Sequence, residues 1–319
     1  MTDASVAQPR AAAEARRGRR CRVIWNPNAG SKAGLPTSNA SEEHLRDLMR
    51  RHGLGDELIA TESEDEAIAA ARDAVTKGYN VVVGAGGDGT VGTVGFQLLR
   101  TTTALGILPL GSAMNVGRSL GIPRDLEAAA AILAMGDVRT IDVGEANGQA
   151  FLEMGSVGLN AAIFGEAQRF DKGEYSSLFS LIATVIHFRP ERMLITLEDR
   201  VVSTRALMIT VANAPYTGVG LTFAPDARLD DGLLDVSVFD HFSKWELIRH
   251  LFSIIAGRRV YSPKIRTYRS RHVRVEARHP RPVRVDAHDL GTTPVEFGLM
   301  PGVLRVVAPP PGDDVGRRL

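Results

Sequence analysis

Residues 81–90 read Val81-Val82-Val83-Gly84-Ala85-Gly86-Gly87-Asp88-Gly89-Thr90, a β-branched run that gives way to glycines around a single carboxylate. Three consecutive valines favour a strand, and the glycines that follow interrupt it. A strand opening into bare backbone N–H groups suits phosphate oxygens, and one Asp within the loop suits Mg2+ or a reacting hydroxyl. Phosphoryl chemistry is the expectation. A structural turn between elements of an α/β protein has the same composition, so the loop needs support from the rest of the chain. Two other phosphate loops are not supported. No Gly-Lys-Ser/Thr closes the segment, and its spacing is Gly-Gly-x-Gly rather than Gly-x-Gly-x-x-Gly.

Outward from this loop, short apolar runs alternate with amphipathic stretches. Arg22–Trp25 reads as a strand stopped by the turn-rich Asn26-Pro27-Asn28-Ala29-Gly30. Ser41–His52 carries Leu45, Leu48 and Met49 at helical spacing, with Ser41 as cap and Glu42 and Glu43 in the first turn. Leu58–Ala60 is a strand pattern, and Glu64–Lys77 is a helix with acids early, a lysine late and Gly78 at its end. Val91–Leu99 reads as a helix, and Leu105–Leu108 as a strand running into Pro109-Leu110-Gly111. Such alternation implies a mostly parallel sheet with ligands at the carboxyl ends of its strands.

After about Ile141 the texture turns β-rich. Met193–Leu197, Ala206–Ala212, Leu234–Phe239, Val273–Glu276, Val283–Asp286 and Val303–Val307 read as strands, many of them alternating. Two helices interrupt them, Ser176–Phe188 and Lys244–Ala256. The second has a broad apolar face that suits either a core or a bilayer surface.

With 319 residues the chain has room for two domains, and 44% hydrophobic with 24% charged residues is ordinary globular composition. Its single cysteine, Cys21, excludes an intramolecular disulfide and fits a reducing compartment, so a cytoplasmic location is expected. The apolar stretch Leu178–Phe188 is too short to span a bilayer. Residues 1–20 hold no apolar core of the length a secretory signal needs and read as a disordered basic tail. Net charge is only +1, yet Arg258, Arg259, Lys264, Arg266, Arg269, Arg271, Arg274, Arg278, Arg281 and Arg284 crowd one region. That excess would draw phosphate-bearing partners, or it simply covers solvated strand faces.

Five segments, in order, resemble the soluble lipid kinases that share the diacylglycerol kinase catalytic domain, a group with sphingosine and ceramide kinase relatives. They are Asn26-Pro27-Asn28-Ala29-Gly30; Gly86-Gly87-Asp88-Gly89-Thr90; Pro109-Leu110-Gly111-Ser112 with Arg118-Ser119-Leu120-Gly121-Ile122-Pro123; Gly155-Ser156-Val157-Gly158-Leu159-Asn160-Ala161; and Ala224-Pro225-Asp226-Ala227 leading to Asp231-Gly232-Leu233-Leu234-Asp235. The resemblance covers roughly residues 21–310. It implies an α/β ATP-binding domain at 21–142, a β-sandwich-like lipid-substrate domain at 143–295, and a segment at 296–319 returning towards the first domain. The active site would lie in the cleft between the domains.

On this resemblance Gly86, Gly87 and Gly89 admit the phosphates of ATP, and Asp88 serves Mg-ATP. Asn26, Thr61 and Thr90 contact the nucleotide, with Gly111, Ser112 and Asn115 in the second glycine loop. Asp231 matches a position that binds structural Mg2+ in some bacterial relatives, and a turn-capping carboxylate explains it equally well. Asp286 matches the Asp of the family's Asp-Gly-Glu and becomes the candidate general base. The partner implied is a lipid, diacylglycerol by default, met at a membrane surface to which the protein would be peripheral. No specific nucleic-acid partner is implied.

The chain departs from the family pattern at Gly92-Thr93, where relatives carry Asn-Glu, at Met114-Asn115, where they carry Asn-Asp or Asn-Asn, and at Asp286-Ala287-His288. Three activities therefore remain compatible with these residues. They are an ATP-dependent lipid kinase, a lipid- or nucleotide-binding protein on the same fold, and a NAD kinase, which shares the Gly-Gly-Asp-Gly element. The Pro-Leu-Gly-Ser loop running into Arg118–Pro123 favours the lipid branch.

Overall fold

The computed structural model describes residues 19–29, 31–32, 35–36, 40–163, 187–218, 222–240, 246 and 265–310. Two units form, one from Met1–Ile141 with Gly302–Leu319 and the other from Asp142–Pro301.

In the first unit β1 (Cys21–Trp25) leads to a small hairpin of β2 (Ser31–Lys32) and β3 (Leu35–Pro36). There follow α1 (Glu42–His52), β4 (Leu58–Ala60), α2 (Glu64–Thr76), β5 (Val81–Gly86), α3 (Asp88–Phe96), β6 (Ala104–Pro109), α4 (Asn115–Ser119) and α5 (Leu126–Met135). The strands pair in parallel in the order β4-β1-β5-β6. β1, β5 and β6 are buried along their whole length, which is why, Arg22 apart, they read as apolar runs without alternation. From β1 the chain steps to β4 on one side and then to β5 on the other. The carboxyl ends of β1 and β5 thus flank a topological switch point, where open α/β sheets bind ligands.

The helices begin where their caps stand. The Ser41 hydroxyl accepts the His44 N–H at 3.2 Å and the Ser63 hydroxyl accepts the Glu66 N–H at 3.2 Å, each with acids in the first turn. Leu45, Leu48 and Met49 form the buried stripe of α1. Arg22, buried on β1, binds Glu57 at 2.7 Å and Asp73 of α2 at 2.6 Å, so its charge enters the interior already paired. The start of one helix differs from the sequence reading, and the β2/β3 hairpin, α4 and α5 were not read from it. α3 starts at Asp88 rather than Val91, because Gly84–Gly86 finish β5 and Gly87, in an extended conformation, is the N-cap. The glycines at 87 and 89 weigh against a helix by local propensity, and packing overrides them.

The second unit is antiparallel. Its strands are β7 (Asp137–Ala146), β8 (Gln149–Phe151), β9 (Met154–Gly158), β10 (Glu191–Leu197), β11 (Val201–Ala212), β12 (Leu234–Asp240), β13 (Ile265–Ser270), β14 (His272–Ala277), β15 (Pro282–Val285), β16 (His288–Thr292) and the first part of β17 (Val295–Ala308). The chain passes from unit to unit twice, within β7 and within β17, and the last part of β17 joins the parallel sheet with Val306 beside Leu105.

Inward residues, among them Phe151, Val157, Ile195, Ile209, Val236, Val275, Val283 and Phe297, make one core. The Phe151 and Phe297 rings meet edge to face, centroids 6.3 Å apart. Gly144 and Gly155 make room for them, since a Cβ there would lie 2.2 Å from the Phe151 ring and 2.3 Å from the Phe297 ring. Among the described residues no helix is long and apolar enough to cross a membrane. The basic tail up to residue 18, Gly30, Arg258, Arg259 and Lys264 lie outside the described residues, as does nearly all of the helices read at Ser176–Phe188 and Lys244–Ala256.

Candidate active site

The switch point gathers side chains from three strand ends. Asn26, leaving β1, donates its backbone N–H to Ala85 at 3.1 Å and accepts the Asn28 N–H on its side-chain oxygen at 2.9 Å. Its Nδ2 reaches the Thr90 hydroxyl at 3.4 Å. Thr61, buried beyond β4, turns both its N–H (2.8 Å) and its hydroxyl (3.3 Å) to the Trp25 carbonyl. Asn26 and Thr90 are thereby brought together, and the Thr61 hydroxyl is committed to the backbone.

The two glycine loops are packed on each other. The Gly86 carbonyl accepts N–H groups from Leu110 (3.0 Å) and Gly111 (3.2 Å). A Cβ on Gly111 would stand 2.5 Å from the Gly87 Cα, and one on Gly86 would stand 2.4 Å from the Thr90 hydroxyl oxygen. Gly86 and Gly111 are therefore glycines for packing. Gly89 is different, being exposed with no atom within 4 Å of where a Cβ would sit. It is the glycine that leaves open space on the first turn of α3.

Asp88 ties the loops chemically. Its Oδ1 accepts the Val116 N–H at 3.1 Å, at the start of α4. Burial pushes its carboxyl above the usual range, while backbone donors at Val116, Asn115 and Met114 pull it back. Met114 holds a left-handed conformation (φ 53°) that aims this short turn at the carboxylate. Asn115 is buried and Ser112 is exposed. On the next turn of α3 the Thr93 hydroxyl donates to Glu64 Oε1 at 3.1 Å. Sequence reading did not single out Glu64, whose only local signal was a place in the acidic first turn of α2.

In the second unit Asp286 sits beyond the end of β15, in a turn with φ 44°, and not on the strand where the sequence pattern put it. Asp and Asn tolerate this region better than most residues. The Asp286 N–H donates to the Met154 carbonyl at 3.0 Å. Its carboxylate accepts three backbone N–H groups: Leu152 on Oδ2 (2.8 Å), and Glu153 and Met154 on Oδ1 (both 3.0 Å). Desolvation raises its pKa to about 6, opposed by those donors and by His288. An ionised carboxylate offers about four lone-pair sites, so one direction on Oδ2 remains for an incoming donor.

Asp231 is differently employed. Its Oδ1 accepts the Leu233 N–H at 3.1 Å and its Oδ2 binds Arg269, so a cation here would compete with a guanidinium. Nearby Asp235 is pushed up to about 6 by burial, with Arg269 lowering it and Asp231 and Asp226 raising it. Among the described residues no group of three or more His, Cys, Asp or Glu side chains is arranged to hold a metal ion.

Residues 20–146 match the diacylglycerol kinase catalytic domain, and residues 155–308 match the YegS C-terminal NAD kinase beta sandwich-like domain. A probable YegS-like lipid kinase of Klebsiella pneumoniae (strain 342) is 30% identical over 285 residues, covering 86% of this chain and 95% of its own. The chain belongs to the diacylglycerol kinase catalytic-domain family. The diacylglycerol kinase of Bacillus subtilis (strain 168) is 25% identical over 300 residues, covering 91% of this chain and 97% of its own. A crystal structure of a diacylglycerol kinase from Bacillus anthracis str. Sterne shares the fold, with a TM-score of 0.71 at 21% identity over 92% of this chain and 97% of that one. This is a family of lipid kinases, and the α/β unit followed by a β-sandwich-like unit is its architecture.

Proposed function

We propose that the chain transfers the γ-phosphoryl group of ATP to a primary hydroxyl of a diacylglycerol-like lipid at a membrane surface. The observation that carries this reading is the joining of both glycine loops by Asp88 at the β1/β5 switch point, with open space left over Gly89. Asn26 and Thr90 supply hydrogen-bonding groups to the nucleotide there, with Gly87, Ser112 and Asn115 lining the loops.

The donor set suits magnesium delivered with the nucleotide. Mg2+ takes one or two carboxylates plus substrate phosphates, and Asp88 is the carboxylate of these loops. Bound there, the ion would neutralise charge on the phosphate oxygens. Asp286 is the proposed base. The lipid oxygen forms a bond to the γ-phosphorus, the bond to the bridging oxygen breaks, ADP leaves, and the hydroxyl proton passes to Asp286. The three N–H donors hold that carboxylate in one orientation, and a pKa near 6 keeps it mostly ionised at neutral pH while still basic enough to take a proton. Asp231 is assigned a turn-capping and ion-pairing role.

The test is transfer of labelled γ-phosphate from ATP to a lipid panel in detergent micelles with Mg2+. Labelled phosphatidic acid, formed from diacylglycerol by the wild type and absent with Asp88→Asn, is the expected result. ATP bound without labelled lipid would favour a binding protein, to which Thr93 and His288 in place of family carboxylates, with the neutral Asn115, would point.

A further inference from the structure

Five arginines of the basic region spend their charge inside the second unit. Arg266 binds Asp240, Arg269 binds Asp231 and Asp235, Arg274 binds Glu276 and Glu296, Arg281 binds Glu191, and Arg284 lies 3.8 Å from Asp289. Acids thus stand beside five of the ten cations read from composition.

A different set of arginines is left over. Arg192 on β10 stands directly opposite Arg205 on β11. On its other side the Arg278 N–H, one residue beyond β14, donates to the Arg192 carbonyl at 3.1 Å, continuing the register in which Met193 faces Ala277. All three residues are exposed, and in each strand they alternate with residues turned inward, such as Met193 and Val275. With strands about 4.8 Å apart, three guanidinium-bearing residues cross the sheet in a row roughly 10 Å long. Among the described residues no acid pairs with any of the three. Like charges placed directly opposite are destabilising, so folding alone does not favour this row. Beside it on the same face lie two exposed apolar side chains, Leu194 (38% exposed) opposite Ser203 and Val201 (60% exposed) opposite Thr196.

We propose that this face of β10, β11 and β14 docks on an anionic bilayer, the arginines against lipid phosphates and Leu194 and Val201 against the headgroup boundary. The occupant follows from charge complementarity with an apolar fringe. Guanidinium groups bind phosphate bidentately, and a nucleic acid would give Leu194 and Val201 nothing apolar to meet. The inference deepens the lipid-kinase reading and rests on it for the purpose of docking.

Flotation of the full-length protein with phosphatidylcholine vesicles, with and without phosphatidylglycerol, is the test. The wild type should bind only the anionic vesicles and be released by salt. Each of Arg192→Gln, Arg205→Gln and Arg278→Gln should weaken binding about fivefold, and the triple variant on the order of a hundredfold. Arg274→Gln, which removes a paired arginine, should bind as the wild type, and thermal melts of all variants verify folding. A folded triple variant that binds like the wild type, an equal loss in Arg274→Gln, or wild-type binding to duplex oligonucleotide but not vesicles would overturn the proposal. Phosphoryl transfer to a short-chain diacylglycerol in solution separates the two readings. Transfer kept by every variant with vesicle binding unchanged sinks the docking face alone, and no transfer by any form with vesicle binding lost in the triple variant sinks the kinase alone.

Discussion

Asp88 and Asp286 are both carboxylates aimed at backbone N–H groups, and substitution separates what they hold from what they do. Asp88→Asn keeps an oxygen for the Val116 N–H but removes the charge, so stability should stay within about 0.5 kcal/mol while phosphoryl transfer is lost. Asp88→Ala should in addition cost about 1 kcal/mol in urea unfolding, as a lost cap does. For Asp286 the prediction is one of pH. Its folded pKa of about 6 lies above the ordinary carboxylate value of about 3.9. The native state therefore binds its proton more tightly, and the stability this contributes is fully present below the unfolded value and lost as pH rises through about 6. Activity should run the other way, because the proposed base works ionised. The rate should climb through about pH 6, a limb that Asp286→Asn abolishes and His288→Gln retains, measured as a pH–rate profile with saturating Mg-ATP.

At the scale of elements, the glycine loops are two turns locked together. Gly111→Ala drives a Cβ to 2.5 Å from the backbone of Gly87, and should cost about 1–3 kcal/mol in unfolding as well as weakening ATP binding. Gly89→Ala meets no atom and replaces a helical glycine, so it should raise stability by about 0.5–1 kcal/mol. If phosphates approach over Gly89, the same variant should lose about tenfold or more in ATP affinity by calorimetry. A stabilised protein with intact affinity would move the phosphates elsewhere. The limits of α1 and α2 were legible because Ser41, the early acids of both helices and Gly78 act locally, while the Ser63 cap emerged only in the structure. The start of α3 was not, since Gly87 caps it with no side-chain bond and packs on Gly111, far away in the chain.

At the scale of the whole molecule, the second unit hangs on aromatic packing. Phe297→Ala removes a ring buried against Phe151, and should cost about 3–5 kcal/mol, seen as an earlier unfolding transition by calorimetry or circular dichroism. Gly155 then explains itself, for the glycine of the Gly155–Ala161 segment is the floor on which that ring lies. The alternation of β10 and β14 could be read residue by residue. Their partners could not, because nothing in one strand names the register of another.

What the sequence by itself determined is local or ordered along the chain: buried runs such as Val81–Val83, the Ser41 cap, the change of texture after Ile141, and five motifs whose order marks the family. What only the tertiary structure decided is convergence. It set the Asp88 carboxylate at the start of α4 and moved Asp286 from a strand into a turn held by Leu152–Met154. It also paired five arginines of the basic region with acids and left Arg278 of that region in a row with Arg192 and Arg205. The physical reason is one of range. Propensity, capping and periodicity act over a few residues, whereas hydrogen-bond partners, desolvation and charge pairing depend on strand register and loop contact between residues far apart in the chain.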